Sequence, residues 1–124
     1  MPFCTVITCM DGRIQKPMME FLAENYGYDS PDTITDAGPV KALSEAESDE
    51  YFHRICRCID ISVHNHDSKH IFIAGHHGCV GNPAPRTRQE DQLRIVANRI
   101  RVKYPACQVD IVYINEQWQC DLLD

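Results

Sequence analysis

The chain has 124 residues, room for one hydrophobic core but not for two independent ones. Hydrophobic residues make up 44 %, the share of a folded globular domain, which excludes a disordered chain. Twelve basic against eighteen acidic residues give a net charge of −6, the wrong sign for a nucleic-acid or anionic-membrane surface.

Met1-Pro2-Phe3 leads straight into a strand-like run, without the charged, apolar and small-residue regions of a signal peptide. A reducing cytoplasm is therefore the expected compartment. The first strand is Phe3 to Thr8, β-rich and ending at Cys9. Asp11-Gly12-Arg13 turns the chain into a helix over Pro17 to Tyr26, with Met18, Phe21, Leu22 and Tyr26 at helical spacing, Pro17 in the first turn and Gly27 as the stop. Thr33 to Thr35 is a short second strand, ending in Asp36-Ala37-Gly38-Pro39. One long helix is expected over Ser44 to Val63, with Tyr51, Ile55, Cys58, Ile59 and Ser62 along a stripe and Ser44 or Ser48 as the cap.

The third strand, His70 to Ala74, is continuously apolar but far too short to span a bilayer. A loop follows, Gly75-His76-His77-Gly78-Cys79-Val80-Gly81-Asn82. Gln89 to Val102 reads as a helix, Val109 to Ile114 as a fourth strand, and Glu116 to Asp124 as a short tail. No repeat or low-complexity linker divides the chain, so residues 1–124 are expected to form a single domain. Strands that alternate with helices and carry near-continuous apolar residues indicate an α/β fold with a parallel sheet covered on both faces.

Seven cysteines in odd number, without a secretion signal, point to thiol or metal chemistry rather than a disulfide framework. In open parallel sheets, ligands bind beyond the carboxyl ends of the strands. Cys9 ends strand one, and His76 and Cys79 lie just past strand three. If strands one and three are neighbours, with strand two outside strand one, the three side chains converge. Two thiolates and an imidazole suit zinc, which takes them tetrahedrally at ~2.3 Å for sulfur and ~2.0–2.1 Å for nitrogen. Three protein ligands leave a fourth position open for water, whose pKa then falls to roughly 7. Taken alone, His76-x-x-Cys79 is a weak signal, better read as a polar loop with a buried free thiol, and Asp11 with Arg13, but for the adjacent Cys9, as an ordinary turn salt bridge.

The two segments together resemble the β-class carbonic anhydrases. That family's Cys-x-Asp-Ser-Arg appears here as Cys9-Met10-Asp11-Gly12-Arg13, and its Gly-His-x-x-Cys-Gly as Gly75-His76-His77-Gly78-Cys79-Val80. Val6-Ile7-Thr8, Asp36-Ala37-Gly38 and Ile71-Phe72-Ile73-Ala74 extend the likeness over roughly residues 3–82. The resemblance implies a three-layer, mostly parallel four-stranded sheet, order 2-1-3-4, with helices on both faces. It implies one zinc per chain on Cys9, His76 and Cys79, with Asp11 and Arg13 as the pair beside the metal. In some members the aspartate itself becomes the fourth ligand. The implied reaction is hydration of carbon dioxide to bicarbonate by hydroxide on the zinc, in a homodimer or larger assembly paired beside strand two. Hydrolysis of carbonyl sulfide or carbon disulfide, or a non-catalytic zinc protein, are the alternatives.

The sequence departs from the family at Gly12, where serine is usual, at Val80 in place of glycine, and at Pro39 in place of asparagine. With strand one at residue 3, the family's amino-terminal helical arm is expected to be absent. The connection after the second motif is reduced to Asn82 to Arg88 and one helix. Cys4, Cys107 and Cys120 read as core or surface thiols, and Cys56 and Cys58 point to different helix faces. His64, His66 and His70 read as a solvated turn. A cysteine-phosphatase loop is excluded because Pro85, not arginine, stands six positions after Cys79. A dinucleotide loop is excluded by the spacing Gly75-x-x-Gly78-x-x-Gly81.

Overall fold

Two strands buried along nearly their whole length form the centre of the sheet: β1 (Phe3–Cys9) and β3 (His70–His76), which pair in parallel with Thr5 opposite Ile71 and Ile7 opposite Ile73. The computed structural model describes residues 2–45 and 49–124. β2 (Ser30–Asp36) pairs in parallel outside β1, and β4 (Gln108–Ile114) in parallel outside β3. A fifth strand, β5 (Cys120–Leu123), adds antiparallel to β4, giving the order β2-β1-β3-β4-β5. The order of the first four strands is the expected one; the fifth corrects the reading of Glu116 to Asp124 as a tail. The Asn115 side chain accepts from the backbone N–H groups of Gln117 and Gln119, and Trp118 takes a left-handed φ of 60°. That tight turn carries none of the usual glycine or proline punctuation.

α1 (Gly12–Tyr26) covers one face of the sheet, where Ile14, Met18 and Leu22 pack with Val6, Phe72, Val112 and Ile114. α2 (Pro39–Ser44), α3 (Asp49–Asn65) and α4 (Arg86–Lys103) cover the other, around Ile7, Ile71, Ile73 and Ile111. Burial on both faces is what makes the strands read as continuous apolar runs.

Local chemistry moves several boundaries. α1 starts five residues before Pro17, because Asp11 caps it by accepting the Arg13 backbone N–H at 2.9 Å. Pro17 thus sits inside the helix. The stretch Ser44 to Val63 is not one helix: Glu45 is extended after α2, and a second helix begins at Asp49. Ser44 therefore belongs to α2, and Ser48 lies outside the described residues. β3 runs on to His76, so that histidine ends a strand rather than sitting in a loop. The solvated-turn reading fails at His70, which is 4 % exposed, with Nε2 2.6 Å from Asp110 and Nδ1 3.0 Å from the Tyr28 hydroxyl. His66 is paired with Asp32 at 2.7 Å and stacked on Phe3. Cys56 and Cys58 lie on different faces of α3 as expected, but the buried stripe takes Phe52 and Cys56 with Ile55, Ile59 and Ser62, and Cys58 is exposed.

Candidate metal centre

Because β1 and β3 are adjacent and parallel, both deliver their last residues to one end of the sheet. Cys9 closes β1, His76 closes β3, and the turn at Gly78 (φ 68°) brings Cys79 back over them. The three donor atoms lie within 4.8 Å of one another, and among the described residues they form the one such cluster of histidine, cysteine and carboxylate groups. The Cys9 and Cys79 sulfurs are 3.8 Å apart. Two thiolates at ~2.3 Å from a tetrahedral zinc stand roughly 3.8 Å apart, so the spacing already fits.

Each donor is buried: Cys9 is 6 % exposed, His76 1 % and Cys79 5 %. His76 Nδ1 lies 2.8 Å from the His77 carbonyl, a contact only an N–H can make, so Nδ1 carries the proton and Nε2 the lone pair. That Nε2 is buried without a hydrogen-bond partner. An orphaned imidazole lone pair facing two thiols is the chemistry of a metal ligand oriented by its outer hydrogen bond. Burial holds the His76 pKa below the ordinary imidazole value, which keeps the ring neutral at pH 7. Burial, and then the neighbouring Cys9, push the Cys79 thiol up to about 11, while the Asn82 and Gly81 N–H groups bonded to its sulfur pull the other way.

Asp11 and Arg13 sit at the rim. Arg13 grips both carboxylate oxygens, Nη2 to Oδ2 at 2.6 Å and Nε to Oδ1 at 3.0 Å. The Arg13 hydrogen bonds, side chain first and then backbone, bring the Asp11 pKa down to about 2. The same Nη2 reaches the Gly78 carbonyl at 3.3 Å, and the guanidinium lies 4.7 Å over the Trp118 ring. Thus the dyad bridges the Cys9 segment and the Cys79 loop. Asp11 stands outside the donor cluster.

All five site residues expected from the sequence therefore meet at one end of the sheet. Sequence reasoning missed what supports them. Gly38 (φ 58°) and Gly81 pack backbone against backbone: a Cβ at 38 would stand 2.5 Å from the Gly81 carbonyl carbon, and one at 81 would stand 2.7 Å from that of Ala37. Gln89 and Asn82 are 2 % exposed polar residues beside the metal loop. The one available signal was compositional, glycines at 38 and 81 in two distant loops. Gly12 has open space around it, so nothing steric separates it from a serine.

A family model described as putative carbonic anhydrase matches residues 1–124. Two solved structures are similar in fold. One is a tetrameric β-carbonic anhydrase from the filamentous ascomycete Sordaria macrospora, 15 % identical, covering 98 % of this chain and 80 % of its own, with a TM-score of 0.55. The other is the β-carbonic anhydrase CafA of the fungal pathogen Aspergillus fumigatus, 15 % identical, covering 99 % and 76 %, with a TM-score of 0.56. No curated protein matches the chain.

Proposed function

Because the chain belongs to the putative carbonic anhydrase family, we propose that it is a zinc lyase that hydrates carbon dioxide to bicarbonate. Cys9, His76 and Cys79 hold one zinc ion per chain, and Asp11 and Arg13 serve the reaction beside it. The observation that carries this reading is the orphaned His76 Nε2 facing two sulfurs 3.8 Å apart.

Zinc held there supplies a Lewis acid that brings the pKa of a coordinated water to about 7. The chain's own residues do the rest. The His76 tautomer, fixed through His77, keeps its lone pair aimed at the donors. Asp11 is ionised at every pH near neutrality, and a carboxylate only accepts hydrogen bonds. It therefore orients the O–H of the attacking water so that an oxygen lone pair faces the carbon electrophile. Arg13 holds Asp11 in that orientation and, through Gly78, at a fixed offset from the Cys79 loop.

Association into a homodimer or larger assembly is part of the proposal. β2 ends the sheet order, and the Sordaria macrospora relative is tetrameric. A reducing cytoplasm suits the site, since both ligand cysteines are free thiols.

The test is zinc content followed by stopped-flow carbon dioxide hydration from pH 6.5 to 9. Purified protein should hold about one zinc per chain, with Cys9→Ala, His76→Ala and Cys79→Ala each losing it. Asp11→Asn keeps the α1 cap, since asparagine caps as well as aspartate, but it gains a donor. It should keep zinc and lose most turnover. Full zinc in Cys9→Ala would refute the site, and unchanged turnover in Asp11→Asn would refute the dyad. Zinc without hydration at any pH would shift the reading to carbonyl sulfide, carbon disulfide or a non-catalytic role.

A further inference from the structure

We propose that Gln89 is the positioning residue that holds the metal loop ready for zinc, an inference that rests on the zinc-site reading above. Gln89 is the fourth residue of α4, and its side chain is 2 % exposed. Its Oε1 accepts the His76 backbone N–H at 3.1 Å. Its Nε2 donates to the His76 carbonyl at 3.0 Å, the Ala84 carbonyl at 3.1 Å and the Asn82 carbonyl at 3.4 Å. One backbone donor on one side and three carbonyls on the other leave the amide a single orientation.

The reason for such a clamp lies in the sheet. The β1–β3 ladder covers Thr5–Ile7 and Ile71–Ile73 and has ended before His76. The His76 peptide groups are nonetheless buried, and buried peptide groups without partners are costly. The Gln89 amide takes the place of the missing strand. Gly75 is shaped to it: a Cβ there would lie 2.6 Å from Gln89 Oε1.

One side chain therefore fixes both ends of the loop that carries two of the three ligands. At the near end it sets the His76 backbone. At the far end it holds Asn82, whose N–H is bonded to the Cys79 sulfur and whose Nδ2 donates to Gln92 at 2.8 Å. The His76-to-Cys79 geometry is thereby set from α4 rather than by the metal. Groups that orient ligands from outside the coordination sphere are worth about 10- to 100-fold in metal affinity.

Gln89→Glu tests this at constant size, replacing the donating NH₂ with an acceptor that faces three carbonyls. Gly75→Ala tests it from the other side, displacing Oε1 while leaving Gln89 in the chain. Zinc affinity is read by chelator competition, and donor geometry by the visible ligand-field bands of the cobalt(II)-loaded protein. Far-UV circular dichroism reports the fold. The expected result is zinc binding about 10- to 100-fold weaker in both variants, with altered cobalt bands in folded protein. A structural residue remote from the ligands would leave those bands unmoved.

Wild-type affinity within twofold and unchanged bands in both variants would overturn the assignment. Should Gln89→Glu not fold, Gly75→Ala decides on the same two readouts. A wild type that takes up no zinc overturns the zinc reading itself, and this inference with it. A wild type that binds, with variants that bind equally, overturns Gln89 alone.

Discussion

Replacing Gly38 by alanine strikes the contact between the β2–α2 loop and the loop that carries Cys79. The added Cβ would stand 2.5 Å from the Gly81 carbonyl carbon, 2.7 Å from its oxygen and 2.8 Å from the Asn82 nitrogen. All three are backbone atoms, so no side chain can swing away, and the loops must separate. The left-handed φ of 58° costs a residue with a Cβ roughly 1–2 kcal/mol. Overpacking a fitted contact costs about 1–3 kcal/mol, so Gly38→Ala should destabilise the fold by roughly 2–5 kcal/mol. An unfolding entropy of about 2.1 cal/mol/K per residue makes each kcal/mol worth about 4 °C in a chain of this size. A fall in Tm of roughly 8–20 °C by differential scanning calorimetry follows. Separation also draws the Gly81 and Asn82 N–H groups off the Cys79 sulfur, so zinc affinity should drop in whatever protein folds. Gly12→Ala is the control: its Cβ meets nothing within 4 Å, and its Tm should change by less than about 2 °C. The reasoning is refuted if Gly38→Ala melts with the wild type, or if Gly12→Ala falls as far.

Two further outcomes concern protons. Arg13→Ala should raise the Asp11 pKa from about 2 toward 3.8, short of the full return because the backbone N–H at 13 still donates. Carboxyl NMR titration reads this directly, and a value still near 2 would exclude Arg13 as the cause. The depressed folded-state value also means that Asp11 stabilises the fold above pH 3.8 and loses that contribution as pH falls toward 2. Zinc uptake must expel the Cys79 proton, since burial holds that thiol up at about 11, whereas His76 is already neutral. Affinity should therefore rise at least about tenfold per pH unit between 7 and 8.5. A chelator competition that gives one affinity across that range would refute proton-coupled binding through Cys79.

The convergence of Cys9, His76 and Cys79 was legible because each belongs to a short local pattern at the end of a strand, and a parallel sheet brings such ends together whatever the sequence separation. The order of the first four strands came instead from the family resemblance that those patterns carry, since nothing in the strands themselves says which are neighbours. What the sequence concealed depends on contacts that periodicity does not encode. Gly38 and Gly81 are 43 positions apart, and only their backbone approach reveals why each lacks a side chain. Gln89 reads as the opening residue of a helix, although its role is to complete a strand. β5 was hidden because its turn is built from the Asn115 side chain and a tryptophan in a left-handed conformation, neither of which marks a hairpin by composition. Pro17 misdirected the start of α1, since proline favours a first turn and here lies more than a turn inside. His70 looked solvated because its two partners, Tyr28 and Asp110, lie far away in sequence.

Trp118 is the only tryptophan in the chain, and its ring lies against the Arg13 guanidinium beside the candidate metal centre. The protein thus carries its own optical probe at the rim of the site, with no competing indole elsewhere. Any event that moves Arg13, whether loss of the Asp11 charge, arrival of an anion or displacement of the Gly78 turn, changes the environment of that one fluorophore. Its emission can be followed in unlabelled protein, in real time, without a turnover assay.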